Sequence, residues 1–300
     1  MMKKWIAWML ALCTALTLAL PAFADGTGKR GYLVLGADLT TEQQQQVMQI
    51  FGIENAAEYS VSYCTNEMEH KAFDNYLAPE LIGSKALSSI LMEPGEPGSG
   101  IQIETTHVTY VTREMIQSAL VTSGVKDVKV HVAAPFDVSG TAALLGAMNA
   151  YGEMTGKSVD DKVADAAVDE LVTTGEIADA LGDKETAVEL MALLKQYLAE
   201  HGDEVSDEEL KQVIDNVCVE MKISLDDTMK DQLISLLRKL QHTDIDMDTF
   251  KQQAGELYDK VSGLMKLLPG SEKVTPSGLM GFLQGLFGGL MDWVTGLLNG

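Results

Sequence analysis

Between Gly100 and Tyr151 the hydrophobic period switches back and forth between that of a strand and that of a helix. A chain with that pattern must build a sheet with helices laid against it. Ile101, Ile103, Thr105, His107 and Thr109 alternate with Gln102, Glu104, Thr106 and Val108, a period rich in β-branched residues that predicts a strand. Thr112 then opens a helix with Met115, Ile116, Ala119 and Leu120 on one face, and Gly124 stands where a helix C′ glycine belongs. Val128, Val130 and Val132 predict the next strand, with Pro135 as its stop. Ser139 or Thr141 caps a further helix through Leu144, Leu145 and Met148. Strands separated by helices require crossover connections within one sheet.

The same order occurs upstream. Tyr32 to Leu35 is a short apolar strand, and Thr40 with Gln43 has capping-box spacing. A helix carries Val47, Ile50 and Phe51 to Gly52, and Tyr59, Val61 and Tyr63 form the next strand. Thr40 precedes Gly52 by the same twelve residues that separate Thr112 from Gly124, about 72 positions further on. The echo raises a duplicated β-α-β unit, against the alternative that two such units of similar length simply look alike. Between the copies, Asn66 to Phe73 reads as a short helix, Leu77 to Ser84 as a helix or turn, and Ala86 to Met92 as a strand. Pro94 to Gly100 reads as a loop, expected to be a hairpin connection into the Ile101 strand.

From Gly152 the strand signal stops. Residues 152–270 hold 27 acidic and 12 basic residues, a net charge of −15. Leu210, Val213, Ile214, Val217, Cys218 and Met221 follow helical spacing, as do Leu225, Met229, Leu233, Leu236 and Leu240, and Phe250, Ala254, Leu257, Val261, Leu264 and Leu268. Ser206 with Glu209, and Thr173 with Glu176, have capping-box spacing. Short polar links between such stripes predict a helical bundle with an acidic solvated face. Pro269 to Pro276 is a polar linker, and Thr275-Pro276 opens a last helix as N-cap and N1. That tail carries one charge, Asp292, and a wide apolar face of Leu279, Phe282, Leu283, Leu286, Leu290, Trp293 and Leu297. Its glycines weaken it as an isolated helix in water by ~1 kcal/mol each relative to alanine, so it needs an apolar surface to lie on. That surface is a membrane interface with Trp293 as anchor, a bilayer entered through Gly281-x-x-x-Gly285-x-x-x-Gly289, or a groove of this protein or a partner.

At the other end, Lys3 and Lys4 precede an apolar run from Trp5 to Leu20, and Ala22-Phe23-Ala24 is a small-x-small cleavage site. This predicts an export signal over residues 1–24. Losing its two lysines takes the net charge from −22 to −24, which disfavours nucleic acid and anionic lipid headgroups as electrostatic partners. Cys13 leaves with the leader. Cys64 and Cys218 then read as separately buried thiols rather than a disulfide, because one lies in a strand and the other on a distant helical stripe.

No pattern for a nucleophile, metal or cofactor is complete. Ser139-Gly140-Thr141 could offer backbone N–H groups to an anion but lacks a phosphate-loop glycine and lysine pattern, and Ser139 lacks a Gly-x-Ser-x-Gly elbow. His107 and His131 lie on strands flanking one helix, where their imidazoles could approach, but two histidines are short of a zinc site. Glu67, Glu69 and His70 share a helical turn and read as a solvated face. Asp244, Asp246 and Asp248 have the alternate spacing of a calcium loop, yet Thr249 and Gly255 stand where its glycine and bidentate glutamate belong. Asp160-Asp161 and Asp207-Glu208-Glu209 read as helix-start acids.

Several segments are distinctive together: Leu35-Gly36-Ala37-Asp38-Leu39-Thr40, Ile82-Gly83-Ser84, Gly98-Ser99-Gly100, Glu104-Thr105 and Ala134-Pro135-Phe136-Asp137-Val138-Ser139-Gly140-Thr141-Ala142-Ala143-Leu144. They resemble a family of secreted proteins from Gram-positive bacteria, the domain-of-unknown-function family numbered one thousand and two. The likeness runs from the leader to about Val261 and includes Leu225 to Ile245; the glycine-rich tail departs from it. The resemblance implies secretion and a shared fold, and brings no catalytic residue or cofactor with it.

The expectation is an α+β chain. A leader (1–24) precedes a β-α-β-containing sheet domain (25–151), an acidic all-α bundle (152–270), and a linker with an apolar tail helix (271–300). It is expected to be a non-enzymatic envelope protein without cofactor, held at a membrane surface or a protein partner through the tail. A secreted hydrolase built around Ser139, His107 and His131, and a divalent-cation-responsive acidic protein, are the alternatives.

Overall fold

Alternation along the strands decides which face of the sheet each side chain joins. In the computed structural model, which describes residues 29–156, 158–201, 205–243, 250–252 and 255–256, five strands form one sheet: β1 (Gly31–Gly36), β2 (Tyr59–Cys64), β3 (Ser89–Pro94), β4 (Ile101–Val108) and β5 (Val128–Val138). The order is β2-β1-β3-β5-β4, with β1–β2 and β5–β4 parallel and β3 antiparallel to both its neighbours. The predicted leader, the tail face from Leu279 to Leu297 and the Asp244–Asp246–Asp248 spacing lie outside the described residues.

Two helices make the parallel connections. Helix α1 (Thr41–Ile50) joins β1 to β2 and starts in the capping box predicted for Thr40 and Gln43. After α2 (Asn66–Phe73) and the one-turn α3 (Pro79–Ile82), helix α4 (Arg113–Thr122) joins β4 to β5, with the Thr112 hydroxyl accepting from Met115 N at 3.1 Å. On one sheet face Leu33, Leu35, Tyr59 and Leu91 pack with Val47 of α1. On the other, Val34, Ile90, Met92, Ile103, Val130 and Val132 share a core with α4 and the later helices.

The duplicated order does not extend to three dimensions. Both connections step the same way across the sheet between strands of the same direction, yet α1 covers one face and α4 the other. The two crossovers are therefore of opposite hand, and one of them departs from the right-handed rule. Copies of one unit would share their hand.

The loop Pro94 to Gly100 is not a hairpin connection, because β5 lies between β3 and β4. The residues explain the insertion. Val132, Ala133 and Ala134 of β5 are all fully buried, as suits a central strand, whereas Gln102 and Glu104 of β4 face water, as suits an edge.

The remaining helices are α5 (Ala142–Thr155), α6 (Asp161–Leu181), α7 (Lys184–His201), α8 (Asp207–Met221) and α9 (Asp227–Gln241). Ser206 and Glu209 form the predicted capping box on α8. Thr173 and Glu176 do not start a helix; they lie inside α6, where apolar residues on both sides carry the helical period straight through. Buried residues from Val34 to Phe250 form one cluster spanning the sheet and these helices, and α5 runs across residues 151 and 152. Cys64 and Cys218 are separate buried thiols, and burial pushes Cys64 up to about 12. Among the described residues no helix is long and apolar enough to cross a membrane.

Candidate functional site

At the end of the sheet where β5 stops, the turn 82–84, the loop through Ser88, Thr109-Tyr110 and the segment Asp137 to Thr141 enclose a cleft of about 450 Å³. Its floor holds a carboxyl group. Glu69 sits one turn before Phe73 on α2, and both are buried, with Glu69 only 2% exposed. Its Oε1 accepts from the Thr141 hydroxyl at 3.1 Å, and its Oε2 from the Asn66 amide at 3.5 Å. Burial pushes its acid strength down, raising its pKa, and these two hydrogen bonds work in the opposite direction.

The cleft wall is tied together by side chain to backbone bonds. Asn66 Nδ2 and the His70 ring both hold Gly83 O, at 3.2 and 3.1 Å. The other His70 nitrogen faces Asp74 at 2.6 Å, so both ring nitrogens meet acceptors and the imidazole pKa is raised, chiefly by Asp74. Asp38 accepts from Ala86 N at 2.8 Å, and Lys184 donates to the carbonyls of Thr109 and Tyr110 at 2.7 and 3.0 Å. Thr141 stands at the N-cap of α5 but does not cap it; its hydroxyl turns to Glu69 instead. Ser139 Oγ lies 3.4 Å from that hydroxyl. Gly140, between them, has φ +90°, and a Cβ there would meet Val108 Cγ1 at 2.2 Å. Two of the distinctive sequence segments, around Gly83 and from Ala134 to Leu144, thus line this cleft, and a third, around Asp38, is tied through Ala86 to the chain that forms its wall.

A second polar constellation is sealed between helices. Ser118 and Thr122, one turn apart on α4, each donate to one carboxylate oxygen of Glu170 on α6. Lys195 of α7 donates to the same two oxygens at 2.9 and 3.2 Å and to the Ser118 carbonyl at 2.8 Å. The Phe250 ring closes over it, 5.1 Å from the ammonium. Burial lowers the Lys195 pKa while Glu170 raises it. A serine beside a lysine invites comparison with a nucleophile and its base. Here the hydroxyl proton is committed to Glu170 and no side chain of the group reaches water, so it is a neutralised internal ion pair.

The hydrolase grouping does not assemble. His131 lies on the α1 face of the sheet, 3.0 Å from Thr106 Oγ1 and edge-on to Phe51. His107 sits in a β-bulge with φ +59° and pairs with Asp137 at 2.9 Å on the rim. Ser139 faces Thr141. The strands are neighbours as expected, but their register pairs His131 with Glu104, so alternation along β4 sets residue 107 on the opposite face from His131 even before the bulge shifts it. Glu67, Glu69 and His70 are not one solvated face, since Glu69 is buried at the floor of the cleft. Asp160 caps α6 through Lys162 N at 2.9 Å, and Asp207 at the start of α8 pairs with Arg238. Among the described residues no three His, Cys, Asp or Glu side chains converge to hold a metal.

Sequence alone assigns Glu69 to a solvated face and does not single out Glu170 or Lys195. Each breaks an apolar helical stripe with a charge, which was the available signal. Glu69 shares its stripe with Phe73, and Lys195 interrupts Leu194 to Leu198.

The family described as "Protein of unknown function (DUF1002)" matches residues 35–257. An uncharacterised protein of Bacillus subtilis (strain 168), YpuA, is 35% identical over 263 residues, covering 87% of this chain and 89% of the relative. No solved structure matches the chain.

Proposed function

Because the chain belongs to DUF1002, a family of unknown function, no activity comes to it from a relative, and we propose from its own residues that it is an exported, envelope-associated binding protein. In this reading the segment 1–24 directs export, the tail helix holds the protein at a membrane surface, and the cleft over Glu69 takes a small polar ligand without chemistry.

The observation that carries the reading is a buried carboxyl at the floor of an open cleft lined by Ser88, Ser139 and Thr141. Pockets of a few hundred Å³ with a few convergent polar groups are the usual form of small-ligand sites. The position of the cleft also suits an anchored protein. Phe250 is fixed in the core, and the Glu256 carboxylate comes close to Gly100, next to the start of β4. The cleft lies at the far end of β5, whose eleven residues span ~33 Å at ~3.3 Å per residue. A tail leaving from the Gly100 end would turn the cleft away from the surface it grips.

Co-sedimentation of the mature protein with liposomes, with and without residues 277–300 at matched salt, tests the anchor. Tail-dependent sedimentation is expected. Full-length protein that stays in the supernatant would move the tail to a protein groove.

A further inference from the structure

Glu170 shows what a fully buried carboxylate receives in this protein. Each oxygen has a hydroxyl donor, and an ammonium lies 2.9 and 3.2 Å away. Glu69, 2% exposed against 0% for Glu170, has one hydroxyl, from Thr141, and one long amide contact, from Asn66. Among the described residues no lysine or arginine pairs with it, and the neighbouring His70 ring is committed to Asp74 and the Gly83 carbonyl. A carboxylate shut away from water calls for a charge partner. Beyond the partial help of the His70 ring, Glu69 has the cleft.

The lining favours a cation from outside. Glu69, Glu80 and Asp137, the last paired with His107 on the rim, line the cleft with one basic residue, Lys85, while Lys184 is spent on the Thr109 and Tyr110 carbonyls. A cleft with acidic walls concentrates cations. A bare divalent ion fits poorly, since it needs six or more oxygens at short range and no three His, Cys, Asp or Glu side chains gather among the described residues. The space of about 450 Å³ is that of an organic molecule, and the Ser88 and Ser139 hydroxyls can both give and accept hydrogen bonds.

We infer that the cleft binds a small hydroxylated primary amine, whose ammonium stands beside Glu69 as Lys195 stands beside Glu170. The inference rests on the reading of the cleft as a ligand site and adds the chemical class. Calorimetric titration of the full-length mature protein at neutral pH with glucosamine, and with glucose as the neutral counterpart, separates the two. Glucosamine is expected to bind at least about tenfold more tightly, the scale of one charge-assisted hydrogen bond, and Glu69→Gln to erase that preference while its circular dichroism spectrum stays that of the wild type. Equal binding of both sugars would overturn the ammonium partner and leave the ligand site standing. No binding of either in the millimolar range would overturn both. A preference that survives in E69Q would remove Glu69 from the role.

Discussion

Glu69 and Glu170 are both hidden from water, and only Glu170 has an ammonium beside it. The difference sets opposite outcomes for substitution. Burial raises the Glu69 pKa above its usual value of 4.5. Below that value the carboxyl is protonated in both folded and unfolded chains and does not affect stability. As pH rises the unfolded chain ionises first, so stability is lost through the interval up to the raised folded value and stays lower above it. E69Q, which keeps the shape and cannot ionise, is therefore expected to melt higher than the wild type at pH 7, with the gap closing toward pH 4 in a series of thermal melts. Lys195→Met does the reverse. It strands the Glu170 carboxylate among Ser118, Thr122 and Phe250, and breaking a buried pair in this way costs about 3–5 kcal/mol. Chemical denaturation should show that loss, and the double variant with Glu170→Leu should recover most of it, because a matched apolar replacement leaves no buried charge behind.

At the scale of the element, the junction between β5 and α5 is where the fold and the cleft depend on one residue. Gly140→Ala places a methyl group on Val108 and forces an L-residue to φ +90°, so strain of ~1–2 kcal/mol adds to overpacking of ~1–3 kcal/mol. Gly124 ends α4 at φ +72° with open space around it, and Gly124→Ala should carry the conformational part alone, ~1 kcal/mol. Urea titration of the two variants, and of G140A with Val108→Ala, distinguishes the contributions; the added V108A should restore part of the G140A loss. The same junction shows what a sequence can announce. Caps formed within three residues were legible, as with Thr40 and Gln43, Thr112 and Met115, and Ser206 and Glu209. The Thr141 hydroxyl was read as a cap because its partner, Glu69, lies 72 residues away. Lys195 and Ser118 are 77 residues apart, and the placement of β5 between β3 and β4 is a pairing of separate segments that the residues of each strand suit but do not by themselves specify. The period of each element fixes which residues are apolar together. It does not fix which hydroxyl finds which buried carboxylate.

For the whole molecule, the question is whether the C-terminal segment belongs to the folded body or to the surface it grips. Phe250 is 1% exposed and covers the Lys195 ammonium, so at that point the chain is part of the core. Phe250→Ala should cost about 3–5 kcal/mol by opening a cavity over a buried ion pair, a fall in Tm of about 10 °C for a body of this size. It should leave liposome sedimentation unchanged, because the tail face from Leu279 to Leu297 is intact. Removal of residues 277–300 should do the opposite, abolishing sedimentation while the melting curve keeps its midpoint. The two variants measured side by side place the functional boundary between Phe250 and Ser277. If the tail deletion lowered Tm as far as F250A does, the apolar face would be packing on the body rather than on a membrane, and the ~33 Å separation of cleft and exit would no longer orient the cleft away from an anchored surface.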